Sequence, residues 1–145
     1  MYRAIALACS LALLSPGFGL ALGLREAGAL RCDWAQNSSA TWDDGRLEVS
    51  PGDGGMPSQM IDGIDREKGT ALVSGNLGID PVTLLEGAGS IHLLSSTATG
   101  NLVIVTIFDS WTEAGFPAVQ SRHMRIGTDP IVSQTYGWCR PPGVQ

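Results

Sequence analysis

The sequence predicts an all-β fold, a small antiparallel meander closing as a filled barrel of calycin-like type or as a sandwich. Three observations carry that expectation. Short runs with the two-residue period of strands recur at spacings near ten residues, each followed by Gly, Asp, Asn or Pro. No amphipathic helix longer than a turn or two is visible. The run Leu102–Phe108 is apolar on both faces, with Leu102, Ile104 and Phe108 on one and Val103, Val105 and Ile107 on the other. A strand with one wet face would not read this way, so this one is expected to be central and covered on both sides.

The chain opens with the stub Met1-Tyr2-Arg3, an apolar run "AIALACSLALLS", the helix breaker Pro16 and a small-residue tail "GFGLALG". That order reads as a secretory signal over residues 1–23, too short and too broken for a comfortable membrane span. Residues 24–31 are a lead-in that forms a turn of helix or stays mobile. One β-domain is expected over 32–139, with a tail at 140–145. From Cys32 to Val49 apolar and polar residues alternate around the turn signals "NSSATW" and "DDG", and "RLEVS" (46–50) places Leu47 and Val49 on one face of a strand. "PGDGGMPSQ" (51–59) is a loop, and "MIDGIDREKG" is either a helical turn or a hairpin tip. "TALVSG" (70–75) and "VTLLE" (82–86) are strands. "SIHLLSS" and "NLVIVTIF" form a hairpin through "TATG", with Gly100-Asn101 at its tip. A last hairpin pairs "PAVQSRHMRI" (117–126) with "IVSQTYGW" across "GTDP".

The whole chain carries 9 basic and 14 acidic residues, a formal net charge of −5. Loss of residues 1–23 removes Arg3 and no acid, leaving eight basic residues and a net of about −6 on a domain of about 122 residues, enough to bury a core. No basic stripe exists to displace counterions from nucleic acid, so that partner class is set aside. With Cys9 leaving in the signal, Cys32 and Cys139 remain at opposite ends of the domain, an even count that reads as a disulfide in an exported chain. Its compartment is then the periplasm or beyond, with no membrane span after cleavage.

Catalytic and metal chemistry finds little support. His92 and His123 are the only histidines and lie in no HxxH, HxH or HExxH spacing, so no metal and no cofactor is expected. "DDG" and "DGIDRE" lack the order of a calcium loop, and the glycine-rich stretches lack phosphate-cradling order. A Ser-His-Asp set is assembled on paper from Ser121, His123 or His92, and Asp109. The nucleophile elbow is missing, however, and Ser121 and His123 lie side by side on one strand face rather than pointing at each other.

The stretches "LLEGAGSIHLLSSTATGNLVIVTIF", "VQSRHM" and "SQTYGWC" resemble a group of small exported proteobacterial proteins with a Ser-Arg-His segment and a terminal Ser-Gln-x-Tyr-Gly-x-Cys motif. The likeness covers roughly residues 70–139 and implies export and a β-fold, and no activity. It singles out Ser121, Arg122, His123, Ser133, Gln134, Tyr136, Gly137 and Cys139. Thr135 departs from the second tyrosine that the group's motif would place there.

Bottom-up, Ser121, Arg122, His123, Gln134 and Tyr136 are candidates for a polar seam across the last hairpin or for a small polar ligand site. Gly137 would let the backbone bend so that Cys139 reaches Cys32. The leading functional expectation is an exported binding or structural accessory, with an unknown protein or small-molecule partner. The first alternative is a calycin-like carrier of an apolar ligand, its cavity lined by the strand 102–108, Trp42 and Trp111. The second is a hydrolase-type enzyme at Ser121/His123.

Overall fold

The structure, a computed structural model, describes residues 23–76 and 78–144. The signal-like segment up to residue 22, with Cys9 inside it, lies outside the described residues. A single turn of 3-10 helix at Leu24–Glu26 leads into nine strands. They are β1 (Leu30–Asp43), β2 (Arg46–Pro51), β3 (Gln59–Asp65), β4 (Thr70–Gly75), β5 (Gly78–Gly87), β6 (Ser90–Ser96), β7 (Leu102–Phe108), β8 (Phe116–Ile126) and β9 (Asp129–Arg140). From β3 to β9 each strand pairs antiparallel with the next, and β9 returns to β1, which pairs with β3. The result is a closed eight-stranded barrel with β2 as an extra strand, so the expectation of an all-β barrel holds and the sandwich falls away.

The β1 strand explains both the closure and the extra strand. Its first residues, Leu30–Cys32, pair with Ile61–Gln59 of β3, while Ser38–Asp43 pair with Pro51–Arg46 of β2. Between them the β1–β9 register shifts from Trp34↔Gly137 to Gln36↔Tyr136, a bulge at Ala35. One extra residue reverses the alternation of side chains. Cys32 and Trp34 point into the barrel, yet Trp42, which unbroken alternation would also turn inward, lies on the outside of a flap formed by β2 and the far ends of β1, β9 and β8. There it borders a shallow surface cleft with Gly45, Pro130 and Val132. Trp42 is therefore no cavity wall. Trp111 is none either: it sits in the β7–β8 connection, edge-on to Phe116 at 4.9 Å between ring centroids.

Gly137 is needed for a reason other than the expected bend. At the bulge β1 and β9 approach so closely that a Cβ on Gly137 would overlap the Asp33 carbonyl oxygen. Two residues on, Cys139 lies directly opposite Cys32, and the two form a disulfide across the seam between the first and last barrel strands.

Inward-pointing residues fill one half of the barrel. Leu30, Ile61, Ala71, Leu84, Ile91, Ile107, Phe116, Ala118 and the disulfide are all buried there. Leu24 and Ala27 cover this end from below. They are held by Arg66, which donates from Nη2 to the Leu24 carbonyl at 2.7 Å and from Nη1 to the Ala27 carbonyl at 3.1 Å, while its Nε faces Glu86 at 3.0 Å without hydrogen-bond alignment. Each large apolar side chain so buried stabilises the fold by roughly 1.5–3 kcal/mol.

The strand β7 corrects one expectation. Val103, Val105 and Ile107 do face inward, but nothing fully covers the other face: Phe108 is 42% exposed, and Leu102 and Ile104 are half-buried on the outer wall. Its two-sided hydrophobicity marks an apolar barrel exterior, which also exposes Leu72, Ile79 and Leu85. The segment left open between a helical turn and a hairpin tip is the β3–β4 hairpin, closed by Lys68 N–H and Nζ bonding the Asp65 carboxylate.

Candidate functional site: a half-filled barrel

The other half of the barrel is hollow. A cavity of about 300 Å³ opens at the end opposite the Leu24 plug. Its walls come from β3 to β8, and its layering follows from the alternation of side chains along each strand. Going from the plugged end toward the opening, the inward series on β5 is Leu84, Val82, Asp80, and on β6 it is Ile91, Leu93, Ser95. On β8 it is Phe116, Ala118, Gln120, Arg122. The inward series of β7 (Ile107, Val105, Val103) stays apolar throughout. The floor and lower wall are hydrocarbon except for the buried Gln120 amide, and a polar ring of Gln59, Asp80, Ser95 and Arg122 surrounds the opening.

The loop 52–58 runs from β2 to β3 beside this opening and supplies Met56 and Pro57 to its lining. It is tied to β1 at several points. The Gly52 N–H donates to the Asn37 carbonyl at 2.9 Å, and Gly55 lies so close to the Trp34 carbonyl that any Cβ would collide with it. Ser58 Oγ donates to Asp33 Oδ1, and Trp34 Nε1 donates to Gln59 Oε1 at 3.1 Å. The Ser58 hydroxyl, aided by the nearby guanidinium groups of Arg31 and Arg140, holds the Asp33 carboxyl below its ordinary 3.8, against a smaller opposing effect of burial. From inside, Gln120, only 3% exposed, donates weakly from Nε2 to Met56 Sδ at 3.8 Å.

The candidate residues of the last hairpin divide between two faces. Arg122 points into the barrel and lines the cavity, opposite Ser133 on β9. Ser121, His123, Gln134 and Tyr136 stand on the outer wall. Ser121 faces Gln134 across the ladder, and the Tyr136 hydroxyl donates to Gln134 Oε1 at 2.7 Å and lies 3.5 Å from Ser38 Oγ. This is a small polar seam on the surface, separated from Arg122 by the thickness of the sheet. The Ser-His-Asp set is not assembled. Asp109 accepts from the Leu24 N–H at 3.4 Å at the plugged end, and His92 bonds Ser90 Oγ and Thr106 Oγ1 on the outer wall. Neither of the two histidines nor Ser121 faces the cavity. Among the described residues no group of three His, Cys, Asp or Glu side chains is placed to hold a metal ion.

Sequence reasoning overlooked Gln59, Asp80, Ser95 and Gln120. Their signal was present, since β5, β6 and β8 each grade from apolar to polar at every second residue, and β3 steps from Ile61 to Gln59. It becomes legible once the direction of each strand in the barrel is known. Compared with protein families, curated proteins and solved structures, the chain matches none.

Proposed function

We propose that this protein is an exported binding protein that carries a small ligand in the open half of its barrel. The cavity of about 300 Å³ carries this reading. Fully packed interiors leave few voids larger than a water molecule, and a pocket near the lower end of the size range of small-molecule sites, apolar with a few convergent polar groups, is the usual form of a binding site. Export is supported by the Cys32–Cys139 disulfide and by the signal-like order of residues 1–23. The apolar-carrier alternative is thereby favoured over a purely structural role, with its lining shifted from the tryptophans to Val73, Val82, Leu93, Val103 and Val105.

Native mass spectrometry of the oxidised chain, exported through its own leader and purified without reductant, tests the reading. The expected result is a retained small mass that is lost in Val103→Phe, a substitution that fills the cavity from the wall. A wild-type chain that is always empty and shows no thermal shift with a small-molecule library would overturn it. A role for the outer face of the flap, where Trp42, Leu47, Val49 and Val132 adjoin, would then come forward as a protein-binding surface.

A further inference from the structure

The polarity gradient inside the barrel goes further than a volume, and names the class of ligand. We propose that the cavity takes a short-chain amphiphile with a single anionic head, its chain directed at the plugged end and its head held by Arg122. The inference rests on the carrier reading above and adds the charge, orientation and length of what is carried.

Arg122 is the observation that decides the head group. Its side chain lines the cavity and is half-buried, and among the described residues it makes no ion pair and no side-chain hydrogen bond. A guanidinium is a rigid fork of donors that matches a carboxylate or similar anion in two parallel bonds. The other guanidinium groups with little exposure are engaged: Arg66 binds two carbonyls, and Arg140 pairs with Asp33. On a chain whose net charge is −5, a cation left unpaired beside an apolar cavity has no structural duty in the fold.

Among the described residues Asp80 is the only other charged residue in the lining, and it stands on β5, separated from β8 by β6 and β7. It does not approach Arg122 within ion-pairing distance, because no such pair is present among the described residues. Asp80 is exposed where Arg122 is half-buried, so water screens its field more strongly. The net preference is for an anion at Arg122, with Asp80 opposing a second negative charge on the same ligand.

Length follows from the strand rise. On β5 the lining runs from Gly78 at the rim to Val82, four residues, roughly 13 Å along the strand and about 10 Å along the barrel axis at the usual tilt. The filled half below, closed by Phe116 and the disulfide, stops any longer chain. An extended chain of eight carbons suits that depth.

Isothermal titration of the full oxidised protein with octanoate, 1-octanol and octyltrimethylammonium, at matched salt, tests the proposal. Octanoate is expected to bind about tenfold or more tighter than octanol, the margin of a charge-assisted bond, and palmitate no tighter than octanoate. Arg122→Met should erase the preference for octanoate over octanol, and Arg122→Lys should restore part of it. Equal binding of octanoate and octanol by the wild type sinks the head-group assignment and leaves the carrier reading standing. Preference for the ammonium probe overturns it in favour of Asp80. Octanoate binding that survives Val103→Phe places the molecule elsewhere and defeats the proposal, as does failure of all three probes to bind; the mass-spectrometric test then judges the carrier reading on its own.

Discussion

The two ends of the barrel are built from the same strands and behave as different materials. At the plugged end Phe116, Ile107, Ile91, Leu84 and the disulfide lie beneath Leu24 and Ala27, all buried. Two to six residues further along the same strands the inward side chains become valine, serine, aspartate, glutamine and arginine, and space opens. Stability is concentrated in one half, which leaves the other free to hold a polar ring that a packed core could not tolerate. A carrier needs this division, because a cavity removes packing energy from the fold that contains it.

The sharpest way to break the comparison is at the seam. Replacing both Cys32 and Cys139 by Ala should lower stability by about 4–5 kcal/mol on the chain-entropy account, read as a shift in urea midpoint between oxidised wild type and variant. Ligand retention below the transition should persist, since the bond lies in the filled half. If reduction and the double substitution left the midpoint unmoved, the plugged end would not be the stable one.

A matched pair of truncations on one strand sharpens it. Ile107→Ala, at a site with 0% exposure, should cost about 3 kcal/mol, whereas Val103→Ala, bordering space that is already open, should cost about 1 kcal/mol. Equal losses in chemical denaturation would mean that the cavity half is as tightly packed as the other. Smaller again is the plug. Arg66→Met should cost about 1–2 kcal/mol and raise hydrogen exchange at residues 24–28, because two backbone carbonyls lose a charged donor.

The smallest effect is on the loop beside the opening. Asp33 is held below 3.8 in the folded chain, so its bond to Ser58 contributes fully above the ordinary carboxylate value and is lost as pH falls through the lowered one. Hydrogen exchange over residues 52–58 should therefore rise in acid well below 3.8 more than in the β6–β7 hairpin, whose turn holds no carboxylate. Ser58→Ala should raise loop exchange at neutral pH and flatten that pH response.

Much of the architecture was legible in the sequence because strand period, turn residues and cysteine placement are local signals. The hairpin ends fell where the Gly- and Asp-containing turns put them, and the disulfide pair was the expected one. The site was only partly legible. Arg122 was singled out, but alternation separates it from Ser121 and His123, whose adjacency in the text made one cluster of what are two opposite surfaces. Trp42 was misplaced because a bulge at Ala35 leaves no mark in composition and yet turns every later side chain of β1 over. Outer hydrophobics such as Ile104 and Phe108 likewise look like core in a linear reading, since period alone does not say which face meets water.

One consequence of the seam concerns mechanical load. Cys32 and Cys139 are 107 positions apart, so nearly every strand residue lies inside the covalent loop they close. Tension applied to the chain from its two sides would pass through that single bond, and the ladder hydrogen bonds between β3 and β8 would carry none of it. Leu24 and Ala27 lie outside the loop, held by Arg66, Asp109, packing and the neighbouring bond from the Ile64 N–H to the Gly28 carbonyl. A pull on this barrel would draw its stopper before it strained its wall.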